Sequence, residues 1–469
     1  MTTSITNLNK TTYQFIYIVI LFLTILSGCK KSSQKPDYPI GSNEHINTWI
    51  LDSLKRYYYW NDQLPANPNL SLAPKDFFNS IRNSSDRFSY ITIPNDPATA
   101  IPGNRNFGFD YTVVSDQNSS KAIGIIKVVL NDSPASRAGL KRGDYISKIN
   151  GKTITVDNAQ VLQTEILNSD HFSLGLAELK NNIWTDTRTV QLNKSIILDQ
   201  REISKVIESD EKKIGYLYFL DFNGGLASSL TAAFSNFKSE NIAELILDLR
   251  YNAGGQVAEA AGLCAMIAKN VSFNKPFIIY KGNKNGGTKT ESIGTAATFD
   301  GTLNFNAILQ QNLGLSRVYI LSTAATASAS EVMINNLKPF IQVILIGEKT
   351  RGKDEASFRI FDARSPKQVY WEIHPIVYKL FNAQGIGGYS TGITPDIKVN
   401  EMDNLPLLQP GDTADPMVRA AIAAITGKAI KTSTVINNVL TNSFQPDRVL
   451  MDSRTVSAQQ SIVISHQLR

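Results

Sequence analysis

From Ile214 onward the sequence alternates short apolar runs with stretches of helical spacing, and this pattern constrains the fold more than any other feature of the chain. Runs without a polar face must be covered on both sides, which a parallel sheet between helices provides. Glu244–Leu249, Arg317–Ser322 and Gln342–Ile346 read as three such strands. The first leads into Arg250-Tyr251-Asn252-Ala253-Gly254-Gly255 and a helix over Gln256–Lys269. The second leads into the small-residue turn Thr323–Ala327 and a helix over Ser328–Leu337. The third ends at Gly347 and opens the loop Glu348–Asp354.

In open parallel sheets the ligand crevice lies outside the carboxyl ends of the strands, so these three loops can converge on one site. The Gly254-Gly255 turn can expose backbone amides that no side chain shields, as an oxyanion hole requires. Ser328 opens a helix, where free amides and the dipole favour an oxyanion beside its hydroxyl. Lys353 comes from the neighbouring loop. A lysine serves as general base only when burial lowers its pKa from about 10.4 toward neutrality. A Ser–Lys pair in a dry cleft suggests acyl transfer with serine as nucleophile. Ser328-x-x-Glu331 is equally a helix-capping box, so spacing alone leaves Ser328 between nucleophile and cap.

Residues 106–193 read as short strands and turns. Ser133-Pro134 starts a short helix ending at Gly139, Gly143-Asp144 turns into the strand Tyr145–Ile149, and Asn150-Gly151 closes a hairpin. The stretch Asp132–Lys152 resembles a PDZ domain. Phe107-Gly108-Phe109 is similar to the PDZ loop whose amides hold a peptide's terminal carboxylate while the peptide adds as a strand; a plain strand start with a glycine bulge fits the same residues. Ahead of this module, Ile46, Trp49, Ile50, Leu54, Tyr57 to Trp60, Phe77, Phe78 and Ile81 recur at helical spacing, and Pro94, Pro97, Pro102 and Gly103 mark a linker.

The run Phe15–Leu26 is 12 residues long, short of the roughly 20 needed to cross a bilayer, and reads as the core of a signal peptide. Leu26-Ser27-Gly28-Cys29 resembles a bacterial lipobox, which implies cleavage before Cys29 and a lipid on its sulfur; an ordinary secretory signal is the alternative. The rest of the chain is globular, with 42% hydrophobic and 19% charged residues. Its charge of +6 is spread without basic runs, which argues against nucleic acid as a partner. Two cysteines, Cys29 and Cys264, and four scattered histidines form neither a disulfide framework nor a metal motif. Cys264 lies in an apolar helical stretch and reads as a core residue.

Taken together, Leu247–Gly255, Ala327-Ser328-Ala329-Ser330-Glu331, Gly347–Lys353 and Gly392-Ile393-Thr394-Pro395-Asp396 resemble the carboxyl-terminal processing, or tail-specific, serine peptidases. Tyr58-Tyr59-Trp60 and Asp86–Tyr90 are similar to that family's amino-terminal segment. The resemblance implies an α/β fold: a crotonase/ClpP-like ββα-superhelix protease core at 196–425, preceded by a PDZ domain at 101–195 and a small N-terminal helical domain at 43–100. Residues 1–28 would be the signal peptide, 29–42 a tether, and 426–469 an extension without assigned role. It implies Ser328 as nucleophile, Lys353 as general base, the amides of Ala329 and of Gly254 or Gly255 as oxyanion hole, polypeptide substrates held by their tails, and no metal or organic cofactor. With the lipobox it implies a lipid-anchored protein of the bacterial envelope, on the periplasmic face of the outer membrane. Two positions depart from the family's pattern: Asp354 follows the lysine, and Ser357 stands where a glutamine orients it. Ser357 can hydrogen-bond the amine, whereas a carboxylate at Asp354 would keep Lys353 charged. The rival expectation is therefore a catalytically impaired, peptide-binding lipoprotein.

Overall fold

The computed structural model describes residues 37–94, 106–116, 122–180, 183–195, 202–224, 226, 228–299, 301–428 and 446–456. The signal segment, Cys29, and Pro97, Pro102 and Gly103 of the linker lie outside them. Helices Asn43–Tyr57 and Pro74–Ile81 bury Ile50, Leu51, Leu54, Phe77, Phe78 and Ile81, and strand β1 (Tyr90–Thr92) follows. These apolar faces join the same core cluster as the central sheet, so the N-terminal segment is part of the main body.

The PDZ-like module contains β2 (Phe109–Asp116), β3 (Ala122–Val129), β4 (Tyr145–Ile149), β5 (Lys152–Thr153), β6 (His171–Lys180) and β7 (Ile183–Asn193), with helix Ala159–Asn168. All its pairings are antiparallel. Next come β8 (Glu202–Ser209), β9 (Lys212–Phe219), β10 (Glu244–Asp248), β11 (Pro276–Gly282), β12 (Thr288–Ser292), β13 (Arg317–Ser322), β14 (Gln342–Gly347), β15 (Glu355–Ser357), β16 (Glu372–His374), β17 (Ile376–Asn382), β18 (Ile397–Lys398) and β19 (Pro446–Asp452). The central sheet runs β18-β14-β13-β10-β9-β8, parallel from β18 to β9 with β8 antiparallel at the edge. It is covered on one face by helices Val257–Ile267 and Ala329–Leu337 and on the other by helix Pro416–Thr426. A second sheet, β12-β11-β17-β15, is antiparallel.

The expected helix over Gln256–Lys269 is shorter, Val257–Ile267, because Ala268 leaves it to bridge Leu315. Cys264 is a free, buried thiol inside this helix. The extension after residue 425 had no assigned role; within it β19 pairs antiparallel with β2 and completes the PDZ-like sheet on that side. Its polar composition hid it: among the described side chains of the strand, Met451 is buried in the module's core and Leu450 packs against it.

Candidate active site

Three loops meet at the carboxyl ends of β10, β13 and β14, held by backbone ties. Leu249 N–H donates to Leu321 O at 3.0 Å, Ala327 N–H to Asn252 O at 3.0 Å, and Arg351 N–H to Thr326 O at 3.0 Å. Asn252 is buried; its side chain donates to Phe219 O at 3.1 Å and accepts from Gly254 N–H at 2.9 Å.

Ser328 precedes helix Ala329–Leu337 with φ 66° and ψ −120°, a region that costs a residue with a Cβ and persists only where its surroundings impose it. Gly254 is part of that surrounding. A Cβ on it would stand 2.5 Å from Ser328 Cβ and 2.8 Å from Ala329 N, at a φ of +101°, so only glycine lets the two turns approach this closely. Ser328 is fully buried. Its hydroxyl lies over the first helical turn as in a capping box, but Oγ makes no hydrogen bond of ordinary geometry among the described residues.

Glu331 ties the two expected reactive residues together. Its Oε2 accepts from Ser328 N–H at 2.9 Å and from Lys353 N–H at 2.7 Å. Its Oε1 accepts from Thr350 Oγ1 at 2.5 Å and Gly352 N–H at 2.6 Å. Burial raises the carboxyl above its usual range against these hydrogen bonds, which favour the anion. The capping acid of one loop is thus the strut of the next. The Ser-x-x-Glu spacing was visible in the sequence; the second set of donors, 19 to 22 residues on, was not.

Lys353 is buried, and loss of hydration pushes its amine down to about 7, with Arg351 acting the same way and Glu355, Glu331 and Asp86 opposing it. The expectation that Asp354 would hold this lysine charged is corrected. The Asp354 carboxylate accepts from Lys379 Nζ at 3.0 Å, and the acid that acts most on Lys353 is Glu355, itself paired with Lys379. Ser357 is fully buried at the end of β15. The N-terminal segment closes the site from above, which sequence reading missed. Phe88 lies 5.0 Å from Lys353 Nζ, and Arg87 donates to Gly352 O at 2.5 Å and Ser390 O at 2.8 Å.

Of the expected oxyanion donors, Gly254 N–H is engaged by Asn252, whereas the amides of Gly255 and Ala329 make none of the backbone bonds of these turns. At Gly255 the ladder to Phe222 uses Gly254 O and Gln256 N, on either side of it. In the module, Phe107 and Phe109 bury their side chains, Phe107 edge-on to Phe172 at 4.6 Å. Gly108 has φ 78°, and its carbonyl accepts from Leu130 N–H at 2.8 Å.

Comparison with known proteins follows the same division. Residues 213–399 match peptidase family S41, residues 45–90 the peptidase S41 N-terminal domain, and residues 125–173 the PDZ domain. The carboxy-terminal-processing protease of Bartonella bacilliformis is 26% identical over 283 residues, 59% of each chain. The chloroplastic carboxyl-terminal-processing peptidase 2 of Arabidopsis thaliana is 28% identical over 240 residues, 49% of this chain and 42% of its own. The chain thus spans about half the length of the curated relatives it matches. A Bacteroides fragilis chain solved as a candidate S41 protease superposes with a TM-score of 0.66 at 27% identity, covering 84% of this chain and 99% of its own. The loops that meet around Ser328 and Lys353 all lie inside the matched segment, and the chain is therefore built on a peptidase family S41 core with that family's N-terminal domain and a PDZ domain ahead of it.

Proposed function

We propose that the protein is a serine endopeptidase with a Ser328–Lys353 dyad that receives polypeptides through its PDZ domain. The observation that carries this reading is the single Glu331 oxygen holding the amides of both residues, beside a lysine whose amine burial pushes down to about 7. The neutral Lys353 amine takes the proton of Ser328 Oγ as the oxygen bonds to the substrate's carbonyl carbon. The amides of Gly255 and Ala329 stabilise the oxyanion, and Lys353 then returns the proton to the leaving amine. Water, deprotonated by Lys353, releases the acyl group and restores Ser328. Ser357, on the strand that follows, orients the lysine. The impaired-binder reading rests on Asp354 and Ser357; of these, the Asp354 carboxylate accepts from Lys379.

The test is hydrolysis of an unfolded protein with an apolar carboxyl terminus by residues 36–469. Wild type is expected to cut, Ser328→Ala and Lys353→Ala to bind without cutting, each with at least 100-fold lower kcat. An inert wild type from pH 6 to 10 would return the chain to the binding-protein class. The lipobox supports, as part of the same reading, a lipid on Cys29 and an envelope location. Cys29→Ser is then expected to move the protein from the detergent phase to the aqueous phase on Triton X-114 partition.

A further inference from the structure

The PDZ groove already holds a strand of this chain. β19 lies along β2 in the register Asp452↔Thr112, Val449↔Val114 and Pro446↔Asp116, and packs against helix Ala159–Asn168 on its other side. It runs antiparallel to β2, so its later residues approach Phe107-Gly108-Phe109, the direction in which an added peptide would bring its end to that loop. The contacts are those of a ligand. Met451 is buried in the module's core, and its carbonyl accepts from Thr112 Oγ1 at 3.0 Å. Asp452 pairs with the buried Lys127. Ser453 Oγ accepts from Tyr111 N–H at 3.0 Å and donates to Asp110 Oδ1 at 2.8 Å. Arg454 pairs with Asp110 at 2.6 Å.

Electrostatic coupling also runs from this strand toward the active-site loops. Asp452 lies near enough to Arg351, in the Lys353 loop, to offset part of the fall that burial imposes on that guanidinium. Asp221, in the loop that bridges Gly255 through Phe222, acts likewise on Arg454.

We propose that residues 446–454 are a built-in ligand of the PDZ groove, that a substrate tail must displace them, and that their chemistry names the class displaced for: an extended segment with an apolar residue followed by an acid. The proposal rests on the reading of the module as the receptor for substrate, and the self-bound strand makes the structure described here a resting form.

The experiment uses the full chain in detergent with Ser328→Ala, so that nothing is cut, and a fluorescein-labelled peptide of residues 446–456 as probe. Met451→Asp removes the apolar anchor; Asp452→Lys sets two like charges together at Lys127. Each is expected to bind the probe at least tenfold tighter than the parent, by anisotropy. A probe with Met and Asp exchanged for Ser is expected not to bind. Equal binding by parent and both variants, with melting curves showing all three folded, would overturn the proposal, as would uptake of the exchanged probe. Restoring Ser328 separates the two readings: tighter probe binding without any hydrolysis sustains the occupied groove and counts against the peptidase alone.

Discussion

A lysine placed inside a protein loses the water that stabilises its charge, and three acids and one arginine around Lys353 leave that loss only partly compensated. The folded pKa of about 7 lies below the unfolded 10.5, so between those values the unfolded chain holds one more proton and stability rises with pH. Lys353→Met is therefore expected to stabilise the protein below pH 7 by on the order of 5 kcal/mol, an advantage that fades toward pH 10.5, checked by denaturant melts across that range. Glu331→Gln tests the strut. It sets an amide donor against backbone donors, lowering kcat, and it removes a charge that supports the lysine's proton. The acid limb of the pH–rate profile is expected to move to lower pH, which a merely structural role would not produce. At this scale residue type and loop position left Ser328 between nucleophile and cap and Lys353 an ordinary loop lysine, and only the family resemblance singled out the pair. Glu331 was legible only as a cap, since its second partners lie on another loop.

Among the elements, the buried strands were the most legible, because a run such as Leu245-Ile246-Leu247 has no polar face to present. Harder to read were strands whose identity depends on a partner. β1 and β16 are three residues each and exist by pairing Tyr90 with His374 and Thr92 with Glu372. Their rings stack at 4.4 Å, and burial with Arg359 nearby pushes the His374 imidazole down to about 4. The unfolded chain takes up that proton near 6.5 and the folded chain does not, so stability is lost as pH falls from 6.5 to 4. His374→Phe keeps the stack without the titration and is expected to flatten the acid side of the stability curve. β19 was illegible for the same reason: an irregularity in its register leaves Val449 55% exposed and Met451, two residues on, buried, so no period of two marks it as a strand.

Across the whole molecule, the PDZ domain reaches the active-site loops through buried charge. Arg142 pairs with Glu401 at 2.5 Å and donates to Tyr251 Oη at 2.5 Å. Arg250 pairs with Asp248, Glu401 and Asp415 at 2.8 to 2.9 Å. Tyr251 and Arg250 begin the turn that carries Gly254 and Gly255. Removing one member leaves the others charged and dry, so Arg142→Met is expected to cost about 3–5 kcal/mol and to expose the linker between domain and core to limited proteolysis. No periodicity announced this network, because Arg142 sits in a PDZ turn and Glu401 opens a three-residue 3-10 helix 259 residues later.

The site's roof comes from the first domain, with Phe88 over the lysine and Arg87 on the Lys353 loop. Until residues 86–90 have docked, the amine is wet and stays an ammonium ion at neutral pH. On the proposed mechanism, docking of this segment and arming of the base are therefore a single event.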